Sequence, residues 1–276
     1  MMFEKVMGSR KSRAFTLVEL LVVISIIALL LSVLMPSLSK ARSLAKRVVC
    51  AANQKTIVLA ATAYQAGNNG KYPRCLGMAE TNGTPTYGLW PNQITRDWTG
   101  DKRAYAYGEK IIDYLGDSVA FDMLVCPLVK LSKEREELSK KYYNNGVSAQ
   151  LYSSYAFYWN YSLKPSIGKT FIGPGIRASK TSKLLVSDLC VYSAAHQNRW
   201  FVSHPPEKGP RYTNYMYGFT WEIPWANDGS MPSIKINAGG SDGSVSLVSS
   251  DEMIRVDFEG YLRSQLFLGV PNWAAQ

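Results

Sequence analysis

A single glutamate, Glu19, lies within an otherwise apolar stretch near the N-terminus. Residues 15–35 read FTLVELLVVISIIALLLSVLM, in which only Thr16, Glu19, Ser25 and Ser32 are polar. An ionised carboxylate on a helix in lipid costs roughly 3 kcal/mol, so it needs a counter-charge, a proton or contact with the interface. Glu19 is therefore a candidate functional residue. The alternative is that its side chain simply reaches water at the cytoplasmic end of the helix.

Four cysteines, Cys50, Cys75, Cys126 and Cys190, all follow the apolar stretch. If that part of the chain is periplasmic, disulfides are chemically permitted, and four cysteines allow three complete pairings. The wide spacings contain no CxxC motif and argue against zinc, so we expect no metal site. A disulfide between Cys50 and Cys126 is the pairing we favour, with buried free thiols as the alternative.

Several aspartates could supply oxygen ligands to calcium, namely Asp188, Asp228, Asp242 and Asp251. Their spacing matches no calcium-binding loop. Asp228 and Asp242 each precede a glycine, which is typical of a turn. We therefore expect no cofactor, and calcium is the one ion that we keep as an alternative.

The sequence offers little support for catalysis. His196 and His204 are its two histidines, and neither a Gly-x-Ser-x-Gly element nor an HExxH pair accompanies them. Aromatic residues alternate within the stretch 212–225, which would suit a carbohydrate-binding surface but is more simply a strand with one buried face. We expect that the protein is not an enzyme.

The elements that carry these residues begin with one long helix. Twenty-one residues at 15–35 would span about 31 Å as a helix, enough to cross a bilayer. Small and apolar residues continue at helical spacing through 36–66, beyond Pro36. The pattern predicts one helix with a transmembrane half and an amphipathic half, ending near Gly67, where turn-forming residues begin.

The segment Arg13-Ala14-Phe15-Thr16-Leu17-Val18-Glu19-Leu20 resembles the processing motif of type IV prepilins and type II secretion pseudopilins. The resemblance implies that a membrane-embedded prepilin peptidase cuts between Ala14 and Phe15 and methylates the new N-terminus at Phe15. Ala14 stands where the family usually has glycine and is likewise small. Glu19 matches the family glutamate, whose carboxylate would compensate the new amine within its own chain or on a neighbouring subunit and so promote assembly.

Weaker similarities follow the apolar stretch. Residues 47–55, 69–73 and 126–127 are similar to large prepilin-like proteins that are abundant in planctomycete-type bacteria. Those proteins often end in a histidine, a spacer and Asp-Gly. Here Asp242-Gly243 matches the Asp-Gly part, whereas Pro232 occupies the place of the histidine.

These patterns predict an α+β fold: a long N-terminal helix packed on an antiparallel sheet, as the pilin resemblance also implies. Strand-like runs lie at 152–161, 184–191, 199–202, 235–237 and 244–248, and Asp242-Gly243 favours a hairpin turn. A second helix is expected around 107–115, and the charged run 130–141 suggests an exposed helix or insertion. The domains would be a leader (1–14), a transmembrane helix (15–35), its amphipathic continuation (36–66) and a periplasmic globular domain (67–276).

The net charge of +10 includes a basic leader, which should remain in the cytoplasm. No nucleic-acid-binding module accompanies the positive charge, so we expect no nucleic-acid partner. Our first hypothesis is a single-pass inner-membrane subunit of a type II secretion pseudopilus or type IV pilus-like fibre, whose partners are the peptidase and other pilin or pseudopilin subunits. The alternative is a periplasmic binding module, for carbohydrate or another ligand, or an enzyme that uses the prepilin segment only as an anchor.

Overall fold

A computed structural model describes the parts of the chain that carry the main elements. The described residues are 16–72, 79–81, 84–86, 93–94, 104–105, 123–129, 151–159, 162–163, 171–175, 181–193, 199–205, 212–214, 220–224, 231–259 and 265–274. The chain divides into two compact units, Met1–Ala45 and Lys46–Gln276. We call the second the C-terminal unit. The boundary between the units lies inside the long helix.

The N-terminal helix, α1, runs from Leu17 to Gly67 and continues through Pro36. Within the first unit its Leu, Ile and Val side chains are exposed from Leu17 onward. Within the C-terminal unit one face becomes buried, at Cys50, Gln54, Ile57, Val58, Ala60 and Ala61. These positions recur every three or four residues, as expected for a helix with one face against a core.

Antiparallel strands form the rest of the described structure. In chain order they are β1 Ala79–Thr81, β2 Thr84–Thr86, β3 Gln93–Ile94, β4 Ala104–Tyr105, β5 Leu151–Tyr152, β6 Tyr155–Phe157, β7 Ser162–Leu163, β8 Phe171–Ile172, β9 Leu184–Asp188, β10 Cys190–Ser193, β11 Arg199–Val202, β12 Tyr212–Asn214, β13 Thr220–Pro224, β14 Lys235–Gly240, β15 Val245–Ser249, β16 Met253–Glu259 and β17 Gln265–Pro271. Short 3-10 helices follow β15 (Ser250–Glu252) and β17 (Asn272–Ala274).

Two larger sheets dominate the C-terminal unit. One has the strand order β15-β14-β9-β6 and the other the order β12-β13-β11-β10-β17-β16. Smaller sheets have the orders β2-β1-β4, β3-β5 and β7-β8, and every pair in all five is antiparallel. This α+β layout, one long helix with antiparallel sheets, confirms the predicted fold class and is consistent with a pilin-like fold.

Helix α1 contacts the four-stranded sheet at a glycine. A methyl group added to Gly239 on β14 would lie 2.8 Å from Cγ2 of Val58 on α1 and 3.0 Å from Cγ1 of Val186 on β9. Because no β-carbon is present at this position, helix and sheet approach more closely than a larger residue would allow. This contact fixes the buried face of α1, including Cys50 and Gln54, against β9 and β14.

The chain passes directly from one large sheet to the other at Leu189. Asp188 ends β9 in the four-stranded sheet, and Cys190 begins β10 in the six-stranded sheet. The N–H of Leu189 donates to the carbonyl oxygen of Ser154 at 3.0 Å and to Oγ of Ser203 at 2.9 Å. The predicted single strand 184–191 is therefore two strands, because this residue turns away from the first ladder.

Other predictions of local structure have mixed outcomes. Arg199–Val202 is a strand with the predicted bounds, and the hairpin at Asp242-Gly243 is confirmed, since β14 pairs with β15 around Gly243, whose φ is +82°. The long pair β16–β17 was not predicted. The helix expected at 107–115 and the charged run 130–141 lie outside the described residues.

Candidate functional site

The start of α1 places Glu19 beside Thr16. The backbone N–H and the hydroxyl of Thr16 each donate to Oε2 of Glu19 at 2.9 Å, and the N–H of Glu19 donates to Oγ1 of Thr16 at 3.2 Å. This reciprocal arrangement is a capping box, which satisfies backbone donors that the first turn of a helix leaves free. Glu19 is therefore held at the helix end that follows the predicted cut. Ala14 and Phe15 lie outside the described residues.

The first unit also contains the apolar surface that Glu19 interrupts. Among the described residues, α1 is the one helix long and apolar enough to cross a membrane, and the side chains of its apolar window are not buried in the protein. The hydroxyls of Ser25 and Ser32 donate hydrogen bonds to carbonyl oxygens of the same helix. The distances are 2.6 Å to Leu21 and 2.7 Å to Leu29. The serine hydroxyls are thus satisfied by the helix backbone. The carboxylate of Glu19 also carries a charge, which hydrogen bonds to helix carbonyls cannot neutralise.

A second site lies inside the C-terminal unit, where four side chains with metal-binding atoms converge. Cys50 comes from α1, Cys126 from the segment 123–129, Asp188 from the end of β9 and His204 from the segment just after β11. Their ligand atoms all lie within 4.8 Å of one another, and each residue is fully buried. We call these four residues the buried cluster.

Asp188 is the centre of the hydrogen bonding in the buried cluster. Its Oδ1 accepts from the thiol of Cys50 and from Nε2 of Gln54, both at 2.9 Å. Its Oδ2 accepts from the backbone N–H of Asn237 at 2.5 Å and lies 3.1 Å from Nε2 of His204. A buried carboxylate is tolerated when it is paired and hydrogen-bonded in this way.

The imidazole of His204 has a defined orientation. Nδ1 lies 2.7 Å from the carbonyl oxygen of Lys235, which can only accept, so Nδ1 carries a proton. Nε2 points to Asp188 and lies 3.3 Å from Sγ of Cys50. Burial by itself lowers the pKa of His204, but the Asp188 carboxylate and Cys50 outweigh it and raise the pKa to about 9. His204 and Asp188 therefore face each other in the geometry of a salt bridge.

The thiol and phenol next to this pair are held neutral. Burial raises the pKa of Cys50, and hydrogen bonding to Cys126 and the charge of Asp188 raise it further. Burial likewise raises the pKa of Tyr155, which neighbours Cys50, well above its ordinary value. Cys50 is thus a poor nucleophile in this environment.

The geometry also argues against a Cys-His-Asp catalytic triad. In such a triad the carboxylate and the nucleophile bind opposite nitrogens of the imidazole. Here Asp188 and Cys50 both approach Nε2 of His204, and Nδ1 is used by the backbone. All three residues are closed off from solvent. The arrangement suits an ion between the side chains better than a substrate beside them.

The structure brings together some of the site residues predicted from the sequence and separates others. Cys50 and Cys126 are close together but are free thiols, so the structure does not contain the expected disulfide. Asp188, considered for calcium, lies in the buried cluster, whereas Asp242 accepts from Ser244 in the β14–β15 turn and Asp251 is exposed. Asp228, Cys75 and His196 lie outside the described residues. The expectation of no metal site rested on the spacing of residues in the sequence, and the structure brings together four possible ligands that are distant in sequence.

Comparison with known proteins gives one positive result. Residues 9–35 match the family model described as the prokaryotic N-terminal methylation motif. No curated protein and no solved structure matches the chain. The matched residues include Ala14, Phe15 and Glu19 and the beginning of α1. The chain therefore carries the prepilin-type N-terminal signature, followed by an α+β layout consistent with a pilin-like fold.

Proposed function

We propose that this chain is a subunit of a type II secretion pseudopilus or a type IV pilus-like fibre. A prepilin peptidase would cut it between Ala14 and Phe15 and methylate Phe15. The observation that carries the proposal is the match of residues 9–35 to the methylation motif. That motif points to a structural, pilin-like protein rather than an enzyme.

The exposed surface of α1 supports this role. Its N-terminal part presents Leu, Ile and Val side chains on all sides, so it is stable only in lipid or against other helices. Before assembly the helix would anchor the protein in the bacterial inner membrane, with the basic leader in the cytoplasm and the C-terminal unit in the periplasm. In the fibre, copies of the same helix and those of other pilin or pseudopilin subunits would cover it.

In this proposal Glu19 contributes to assembly by pairing its carboxylate with the new amine of Phe15. Cleavage would create a positive amine at Phe15, one residue before the capping box in which Thr16 binds the Glu19 carboxylate. The carboxylate has a second oxygen available for an amine of its own chain or of a neighbouring subunit. In a low-dielectric environment such a pair is strongly favourable compared with either charge alone.

The proposal is tested by isolating sheared fibres and membranes from the native host carrying Glu19→Ala or Glu19→Gln. Both variants should insert into the membrane, because the helix becomes less charged. Both should reduce the fibre fraction by about tenfold or more, since every 1.4 kcal/mol lost from a contact is tenfold in its equilibrium. Ser25→Ala is the matched control, because its hydroxyl bonds only within its own helix in the structure.

Two results would count against the proposal. Normal fibre yield from both Glu19 variants would remove the assembly role of the carboxylate. Wild-type protein that stays in the membrane as monomers, with no crosslinks between subunits, would instead favour an anchored periplasmic binding module.

A further inference from the structure

The buried cluster has a composition that a core residue set seldom has. Two thiols, a carboxylate and an imidazole are fully enclosed, and their ligand atoms lie within 4.8 Å of one another. Charged groups are rarely buried without a partner, and an apolar set of similar volume is often as stable as a buried ion pair. The side chains come from four separate elements, so a function in holding those elements together is a natural reason for them.

We propose that Cys50, Cys126, Asp188 and His204 bind one Zn²⁺ ion, which ties helix α1 to the β-sheets of the C-terminal unit. The ligand atoms would be the two Sγ atoms, Nε2 of His204 and one carboxylate oxygen of Asp188. This site is independent of the N-terminal processing motif.

The ligand atoms lie slightly closer together than they would around a tetrahedral ion. Zinc binds sulfur at about 2.3 Å and nitrogen at about 2.0–2.1 Å, so tetrahedral ligand atoms lie about 3.3–3.8 Å apart. In the structure Sγ of Cys50 lies 2.9 Å from Oδ1 of Asp188 and 3.3 Å from Nε2 of His204. Nε2 of His204 lies 3.1 Å from Oδ2 of Asp188. Small outward movements of these side chains would make room for the ion.

The surrounding hydrogen bonds already orient the ligands as a metal site requires. A metal-binding histidine commonly donates its other N–H to a carbonyl or carboxylate, and Nδ1 of His204 has this contact with the carbonyl of Lys235 at 2.7 Å. Asp188 is held by Nε2 of Gln54 and the N–H of Asn237. These two donors would remain when the ion replaces the protons of Cys50 and His204, and they would offset the excess negative charge of the occupied site.

The ligand types select the metal. Thiolates and imidazole favour zinc over calcium or magnesium, which prefer oxygen ligands throughout. Binding would release one proton from each thiol, and one from Nε2 of His204 when that ring is protonated. Four protein ligands in a closed site leave no position for substrate, so the ion would be structural. Cys50 and His204 are 154 positions apart, so the ion would close a long segment of chain.

The test is metal analysis of the full-length chain, purified in detergent under reducing conditions and dialysed against micromolar zinc. We expect one zinc per chain. Cobalt substituted for zinc should give a cobalt–thiolate charge-transfer band and the intense visible bands of a tetrahedral ion. Cys126→Ser and His204→Gln should lose zinc and should change both the charge-transfer band and the visible bands of the cobalt-substituted protein. Cys190→Ala is the matched control, because Cys190 is a buried free thiol outside the cluster and its removal should leave the stoichiometry unchanged.

A milder variant allows the proposal to be tested even if the ligand variants fail to fold. Gln54→Leu keeps all four ligands and removes a donor to Asp188, and it should weaken zinc binding by about 10- to 100-fold while keeping the cobalt–thiolate band. The proposal is overturned if the folded wild-type chain takes up no stoichiometric zinc, or if Cys190→Ala loses as much as Cys126→Ser. Isolation of the native chain with a Cys50–Cys126 disulfide would overturn it as well. None of these readouts depends on fibre assembly.

Discussion

The Nε2 atom of His204 lies 3.1 Å from Oδ2 of Asp188, with both side chains fully buried. The two residues lie next to different sheets: Asp188 ends β9, and His204 lies two residues after β11. Gln54 on α1 donates to the other oxygen of the same carboxylate. One acidic side chain thus joins the helix to both large sheets of the C-terminal unit.

Loss of this carboxylate should be costly. In metal-free buffer Asp188→Leu leaves Gln54, His204 and the N–H of Asn237 without their acceptor in a dry site, and we expect a loss of about 3–5 kcal/mol in the free energy of unfolding. Asp251→Asn, at an exposed position, should change it by less than about 0.5 kcal/mol. Urea unfolding of the full-length chain in detergent measures both, and equal stability of the two variants would contradict the role of Asp188.

The close approach of α1 to the sheet gives a second prediction. Gly239→Ala introduces a methyl group 2.8 Å from Val58 Cγ2 and 3.0 Å from Val186 Cγ1, and this overpacking should reduce stability by about 1–3 kcal/mol. Val58→Ala removes one of the clashing groups, so the double variant should lose less than the sum of the two single losses. Strict additivity in the same urea experiment would show that the helix does not lie against Gly239. Ser246→Ala, exposed on the adjacent strand, is the control.

The turn between β14 and β15 tests a backbone requirement. Gly243 has φ +82°, which side chains with a β-carbon rarely adopt, and the added β-carbon would meet only the flexible end of Lys55 at 3.4 Å. Gly243→Ala should therefore cost about 1 kcal/mol through backbone strain. Gly243→Asn should cost less, because asparagine tolerates the left-handed region. Thermal unfolding of both variants measures the two stability losses. A larger loss for Gly243→Asn than for Gly243→Ala would contradict the strain argument.

Two parts of the fold, helix α1 and the β14–β15 hairpin, follow from local patterns. The apolar run and the helical spacing beyond Pro36 predict α1, which ends at Gly67. The hairpin at Asp242-Gly243 follows from the same kind of local signal, because a tight turn needs a residue that accepts positive φ. The break at Leu189 does not, since residues 184–191 read as one strand. Only the tertiary hydrogen bonds that the Leu189 N–H donates to Ser154 and Ser203 divide it.

The buried cluster could not be read from the sequence for a similar reason. Its members stand at positions 50, 126, 188 and 204, with no short motif between any two. Considered alone, the cysteines favoured a disulfide, Asp188 was one of several conceivable calcium ligands, and no catalytic motif accompanied His204. Only the packing of α1 on the sheets brings them together.

Processing should depend on the size of the residue before the cut. Ala14→Gly should be processed at least as well as wild type, because the prepilins that residues 13–20 resemble usually have glycine there. Ala14→Leu should block cleavage and leave the leader on the membrane-bound chain. Electrophoretic mobility of the membrane fraction, with and without an active prepilin peptidase, separates the two forms. Efficient cleavage of Ala14→Leu would argue against the predicted cut site.

The central claim, that the chain is a processed prepilin-like subunit, is tested most directly by the intact mass and N-terminal sequence of the protein from its native host's membranes. The account predicts a chain that begins with N-methylated Phe15 and lacks residues 1–14. A chain that retains Met1 to Ala14 would contradict it and leave an uncleaved, signal-anchored domain.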